Sequence, residues 1–188
     1  FSKRNQKGFL FTVGDEPCLK SLPKNAINEI ISDTKCQRNF TDAELLAEAQ
    51  EKYNVYYYPI VSSMRAFRAL WKRSYEKASH LIGGVVYECP WKAGGHNGLS
   101  NAEDPKVFQD PYPRVVEIRT FMNSVGLHDT PIIMAGGVWN IVEYEHWLDN
   151  PEIGPIVFQF GTRPLLTQEY PISDAWKKRL LTIREGDV

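Results

Sequence analysis

The sequence predicts an α/β protein with a mainly parallel sheet of about five strands and flanking helices. Two observations carry this. Strand-like apolar runs alternate with helix-spaced segments along the chain, an order that builds parallel sheets. The runs at residues 131–135 and 155–160 also both stop at glycine, at Gly136-Gly137 and at Gly161. Between them, Val142, Trp147 and Leu148 carry helical spacing. A strand–helix–strand unit of this kind pairs its strands in parallel.

The elements follow in order. Residues 7–14 (KGFLFTVG) read as a buried strand ending at Gly14. Residues 22–31 have helical spacing. Thr41 is a helix N-cap, with Glu44 completing a capping box for TDAELLAEAQEKY. Residues 54–61 (NVYYYPIV) are aromatic and β-branched; Pro59 marks an edge or a strand end. Ser62-Ser63 opens a basic, aromatic segment over 64–81, with Phe67, Leu70, Trp71 and Tyr75 on one face. Its Arg and Lys residues read as a solvated face. Residues 83–88 (GGVVYE) form the next strand, followed by a long polar loop. Residues 112–125 form a helix with Pro113 in its first turn. After the two glycine-terminated strands, Ser173 caps a last helix reaching about Ile183.

Composition narrows the function classes. The chain has 188 residues, 43% hydrophobic and 24% charged, with a net charge of −1. That is ordinary for a globular protein and offers no basic surplus for nucleic acid. No apolar run reaches the roughly 18 residues of a membrane helix. The opening FSKRNQKGFLF lacks a signal-peptide core, and a start at Phe1 reads as a fragment or processed product. Cys18, Cys36 and Cys89 are odd in number and form no CxxC. This argues against a disulfide framework or a zinc site, and for a reducing, cytoplasmic compartment.

Glycines directly after parallel strands let backbone N–H groups approach a ligand, and an anion is favoured there. Alternatively they serve only as turn residues. The loop after residues 83–88 carries Lys92-Ala93-Gly94-Gly95-His96-Asn97-Gly98. An imidazole among glycines, at the carboxyl end of a strand, suits proton abstraction from a weakly acidic carbon. Glu88 reads as a solvated carboxylate or as a partner orienting His96. Arg163 suits either a phosphate or a strand-end salt bridge. Trp139, Trp147 and Trp176 are expected in the core, and His128 and His146 in surface or structural roles.

In combination, GGVVYECPWKAGGHNG, PIIMAGGVW and IVFQFGTRPLLTQEYPIS resemble the C-terminal part of nitronate monooxygenases, over roughly residues 67–188. The resemblance implies a flavin enzyme on a TIM barrel with non-covalent FMN. It implies His96 as catalytic base, with Gly94 and Gly95 beside it. Ala135, Gly136, Gly137, Gln159, Gly161 and Thr162 would hold the FMN phosphate and ring. The implied substrates are an alkyl nitronate or nitroalkane and dioxygen.

The amino-terminal part differs. KGFLFTVGDEP and the helix after it resemble part of a von Willebrand factor A-type domain, with Asp15 at the position of its metal-site loop; the D-x-S-x-S motif is absent. The expected organisation is therefore a von Willebrand A-like segment over 1–63 and a flavin-binding, TIM-barrel-like segment over 64–188. A metal-dependent binding module, or a non-catalytic fusion or fragment, is the alternative function. Five strands fall short of the eight in a barrel. An incomplete barrel, an oligomer or missing partner segment, and an open sheet reusing barrel-like units are all open on the sequence.

Overall fold

The computed structural model describes residues 23–25, 28, 37–94, 98–100 and 103–184. Within them the architecture is α/β, with four strands in one all-parallel sheet: β1 Ile60–Val61, β2 Val85–Glu88, β3 Ile132–Ala135 and β4 Ile156–Phe158. These are four of the five expected strands. The strand at residues 7–14, the Asp15 position and most of the expected helix over 22–31 lie outside the described residues.

Helix α1 (Asp42–Tyr53) starts as the sequence predicts. The Thr41 side chain accepts from the Glu44 amide, and the Glu44 carboxylate accepts from the Thr41 amide at 2.8 Å. Those backbone and side-chain bonds, with Arg38 beside them, bring the Glu44 carboxyl down to about 2. Asn54, in the left-handed region at φ 48°, ends the helix. The strand expected over 54–61 shrinks to β1 and one isolated bridge from Tyr57 to Ile82. Pro59 has no N–H for a ladder, and only its carbonyl takes part, accepting from Val86 at 2.8 Å.

Helix α2 (Met64–Arg73) is capped by the Ser63 side chain on the Ala66 amide. The helix expected through residue 81 stops earlier. Ser74 leaves helical geometry at φ −131°, and two 3₁₀ turns, Tyr75–Lys77 and Ser79–Leu81, carry the chain to β2. Helix α3 (Tyr112–Ser124) has Pro113 in its first turn, where a missing N–H costs nothing. The β3–β4 connection is a 3₁₀ segment, Ile141–Trp147, kinked at Tyr144. Helix α4 (Asp174–Thr182) is capped by Ser173 and has no buried residue.

The strand order is sequential, β1-β2-β3-β4. Parallel crossovers are right-handed, so an order that never reverses places every connection on the same face. That face holds the core. Val61, Val85, Tyr87, Ile132 and Met134 point into one cluster with Phe67, Val115, Ile118 and Met122 from α2 and α3. Phe67 meets Phe121 edge to face, with ring centres 5.5 Å apart. Each such side chain contributes about 1.5–3 kcal/mol on burial.

The opposite face is different. Register aligns Ile60, Val86, Ile133 and Val157 in one row across all four strands. None of the four belongs to the core cluster. Val157 is 49% exposed, and Tyr58, two residues before Ile60, is 47% exposed. The Tyr58 ring lies over Gly83 and Gly84, where a β-carbon would collide with it.

Below the sheet, Arg119 of α3 is 2% exposed and faces backbone alone. Its guanidinium donates to the carbonyls of Ile153, Leu127, His128, Thr130 and Pro155. It ties the chain entering β3 to the chain entering β4. Of the three tryptophans expected in the core, only Trp147 is buried. Trp139 and Trp176 are 45% and 63% exposed, because the segments that carry them form the outer boundary of the described structure. No helix among the described residues is long and apolar enough to cross a membrane.

Candidate functional site

The carboxyl ends of the four strands are where a parallel sheet gathers ligands. Their loops are joined in sequence by specific contacts. At the end of β1, the Ser62 hydroxyl donates to the Gly98 carbonyl at 3.0 Å, and the Ser62 carbonyl accepts from Arg114 of α3 at 3.3 Å. Arg114 also pairs with Glu103 and lies 4.7 Å from the centre of the Trp91 ring. The loop after β2 is thus fastened on both sides of its glycine-rich tip.

The loops after β2 and β3 are in direct contact. The Cys89 amide donates to the Ala135 carbonyl at 2.9 Å. Gly136 and Gly137 have φ of +81° and +74°. Their missing β-carbons are replaced by neighbours: Cys89 backbone at Gly136, and the Lys92 side chain at Gly137. The double glycine therefore has a packing reason of its own, since any side chain would push the two loops apart. The loop after β4 joins the group through Arg163, whose guanidinium donates to the Trp139 carbonyl. Arg163 is thus neither in a strand-end salt bridge nor unengaged.

The nominated residues divide into three groups. Ala135, Gly136 and Gly137 sit at the end of β3, with Ala135 buried and Gly137 exposed. Gln159, Gly161 and Thr162 follow β4 and are all exposed; the Gln159 amide donates to the Met134 carbonyl at 2.9 Å. Gly94 is exposed, with no atom within 4 Å of where a β-carbon would stand, and Gly161 is equally open. Gly95 and His96 lie outside the described residues, as does any contact between Glu88 and His96. The backbone N–H groups of Gly136, Gly137, Gly161 and Thr162 have no acceptor among the described residues.

No family model and no curated protein matches the chain.

Beneath these loops, on the core side, lie Tyr87 and Cys89. The Tyr87 hydroxyl is buried and has no hydrogen-bond partner among the described residues. Burial raises both its pKa and that of the Cys89 thiol. Cys89 is fully buried, so it is a small packing group and a poor nucleophile. Among the described residues no cluster of His, Cys, Asp and Glu has the makings of a metal site. His146 accepts from the Trp147 indole at 2.8 Å, a local structural role.

The sequence reading overlooked Arg114 and Ser62. Both hold the loop that carries His96, and their signal was weak: Arg114 is one cation among many, and Ser62 reads as a helix-capping residue beside Ser63.

A second concavity lies at the other end of the sheet. A cleft of about 470 Å³ is lined by Pro131, Leu148, Asp149, Gly154, Pro155 and Val157. It borders the entries to β3 and β4, away from the glycine turns.

Proposed function

We propose that the chain is an FMN-dependent oxidoreductase of nitronate monooxygenase type, oxidising alkyl nitronates or nitroalkanes with dioxygen. One observation carries the reading. The glycine-bearing loops after β2, β3 and β4 lie side by side at the carboxyl edge of one parallel sheet, linked Cys89 to Ala135 and Arg163 to Trp139. That is where this class of fold places a phosphate-bearing cofactor.

The residues present suit such a group. The unclaimed N–H groups of Gly136, Gly137, Gly161 and Thr162 would receive the phosphate, as backbone donors do for anions elsewhere. Gln159, with Gly94 and Gly95, would border the flavin ring, and Ala135 would support it from the end of β3. Bound FMN supplies a two-electron acceptor that returns its electrons to dioxygen. The protein contributes position and proton transfer. In this reading His96 removes the proton α to the nitro group, while a nitronate enters already deprotonated. Ser62 and Arg114 hold the base of the His96 loop in place. A cytoplasmic location belongs to the same proposal.

The test is the visible spectrum of the purified protein, with and without added FMN. Flavin bands in the bound form, and a rise in melting temperature with FMN, are expected. His96→Ala should keep the flavin and lose turnover of a neutral nitroalkane. A colourless protein that FMN does not stabilise overturns the cofactor assignment. Undiminished turnover in His96→Ala overturns the base.

A further inference from the structure

The loops after β2 and β4 each bring one cation to the glycine turn after β3. Lys92 comes from the β2 side. Its aliphatic stem lies across Gly137, with Cδ 2.3 Å and Cβ 2.6 Å from where a β-carbon on that glycine would stand. Arg163 comes from the β4 side, directly after Thr162, and donates to the Trp139 carbonyl. The two cations thus touch the chain at Gly137 and at Trp139, on the segment that carries the unclaimed N–H groups of Gly136 and Gly137.

Neither cation pairs with a carboxylate among the described residues. The acids of the Lys92 loop are engaged elsewhere, Glu103 with Arg114 and the Ser100 amide, and Asp104 with the Lys106 amide. The Lys92 ammonium lies instead 4.6 Å from the centre of the Phe108 ring, which is 45% exposed. A cation on a solvated ring gains little. Beside a phosphate the same ammonium gains a charge-assisted hydrogen bond.

The backbone under Lys92 is fixed. The Lys92 and Ala93 amides donate to the Cys89 carbonyl at 3.1 and 2.9 Å, and the Trp91 indole donates to the Asp104 carbonyl at 3.2 Å. Trp91 also packs edge to face on Phe108, with ring centres 6.3 Å apart. The stem is therefore anchored, and the ammonium is the part without a strong partner. Nζ stands two bonds beyond the carbon lying over Gly137, so rotation at the end of the side chain brings it to an anion held at that amide.

We infer that Lys92 supplies the charge for a phosphate monoester dianion held at the Gly136 and Gly137 amides, with Arg163 as the second cation. A phosphate monoester carries about 1.5–2 negative charges at neutral pH and three acceptor oxygens. Two cations and a set of backbone donors match that group. The inference rests on the flavin reading for the body of the ligand, and within it Lys92 sets the choice of cofactor: FMN is taken, and riboflavin, which has no phosphate, is refused.

The stem packs on Gly137, so the test must separate charge from packing. Lys92→Met keeps the stem and removes the charge, whereas Lys92→Arg keeps the charge. FMN and riboflavin are titrated against the three proteins by flavin fluorescence, with melting curves in inorganic phosphate alongside. Wild type should bind FMN more tightly than riboflavin by about tenfold or more. Lys92→Met should lose about tenfold in FMN affinity while its riboflavin affinity and ligand-free melting temperature stay unchanged. Lys92→Arg should keep most of the FMN affinity. No preference for FMN in wild type, equal losses for the two flavins in Lys92→Met, or no loss for FMN each overturn the assignment. Inorganic phosphate separates this assignment from the flavin reading, because it should raise the melting temperature of wild type and not that of Lys92→Met. If neither flavin binds and phosphate still stabilises through Lys92, the anion site stands and the flavin reading falls. If neither flavin binds and phosphate acts equally on both proteins, or on neither, the Lys92 assignment falls too.

Discussion

A β-carbon placed on Gly136 would lie 3.0 Å from both the amide nitrogen and the carbonyl oxygen of Cys89. At Gly136, two loops from neighbouring strands therefore meet at backbone distance, with the Ala93 side chain 3.3 Å away. Gly136 also sits at φ +81°, a conformation that costs an L-residue about 1–2 kcal/mol. Gly136→Ala should destabilise the protein by about 2–3 kcal/mol, measured by urea unfolding. Gly94→Ala serves as the control. It has open space around it and no left-handed φ, and should stay within about 0.5 kcal/mol of wild type.

Arg119 is a second point where one residue decides much. It is buried, and its partners are five carbonyls with no carboxylate among them. Burial lowers its pKa, but the carbonyl cage keeps it charged. Arg119→Met should cost about 3–5 kcal/mol, because carbonyls beneath β3 and β4 would be left buried and unpaired. Arg119→Lys should rescue little, since an ammonium does not span the fork. Chemical denaturation of the three proteins decides this.

Tyr87 should act in the opposite direction. Its hydroxyl is buried without a partner among the described residues, so Tyr87→Phe should stabilise by about 1 kcal/mol at neutral pH. The pH dependence follows from the raised pKa. The folded phenol keeps its proton above pH 10, where the unfolded phenol loses it. The unfolded state is favoured as pH rises past that point, so stability falls above about pH 10. Tyr87→Phe should flatten part of that fall in a pH series of melting curves. Tyr57 and Tyr144, raised by burial, Tyr112, raised by its bond to Glu152, and the buried Cys89 thiol contribute to the remainder.

Gln159 can separate the proposed cofactor contact from structure. Its side chain is exposed, while its amide is held by the Met134 carbonyl at 2.9 Å. Gln159→Ala keeps that backbone bond. The melting temperature without ligand should not change, and FMN affinity should fall about tenfold, or 1.4 kcal/mol, by fluorescence titration. Equal affinities would remove Gln159 from the proposed flavin site.

Much of the fold could be read from the residues because its signals are local. The capping box at Thr41 and Glu44, the Ser173 cap and Pro113 in a first helical turn each act within a few residues, and each is observed. Runs 131–135 and 155–160 contain β3 and β4, and run 83–88 contains β2. The misses are tertiary. Periodicity over 64–81 continues past Ser74, but the chain must turn there to enter β2. Trp139 and Trp176 have the composition of core residues without a neighbour to cover them. At the candidate site, the glycines were visible and their mutual contact was not. Nothing in the sequence tells Gly136, packed on Cys89, from Gly161, with open space around it.

The sequential strand order has a consequence for how the molecule is made. Each strand pairs with the one before it along the chain, so no strand waits for a distant segment. Emerging from a ribosome amino end first, the sheet grows at a single front, and each newly synthesised strand meets a finished template. β4 is the last of the described strands to be made, so a stall in translation before Ile153 would leave β3 as the growing front and Arg119 without its Ile153 and Pro155 carbonyls.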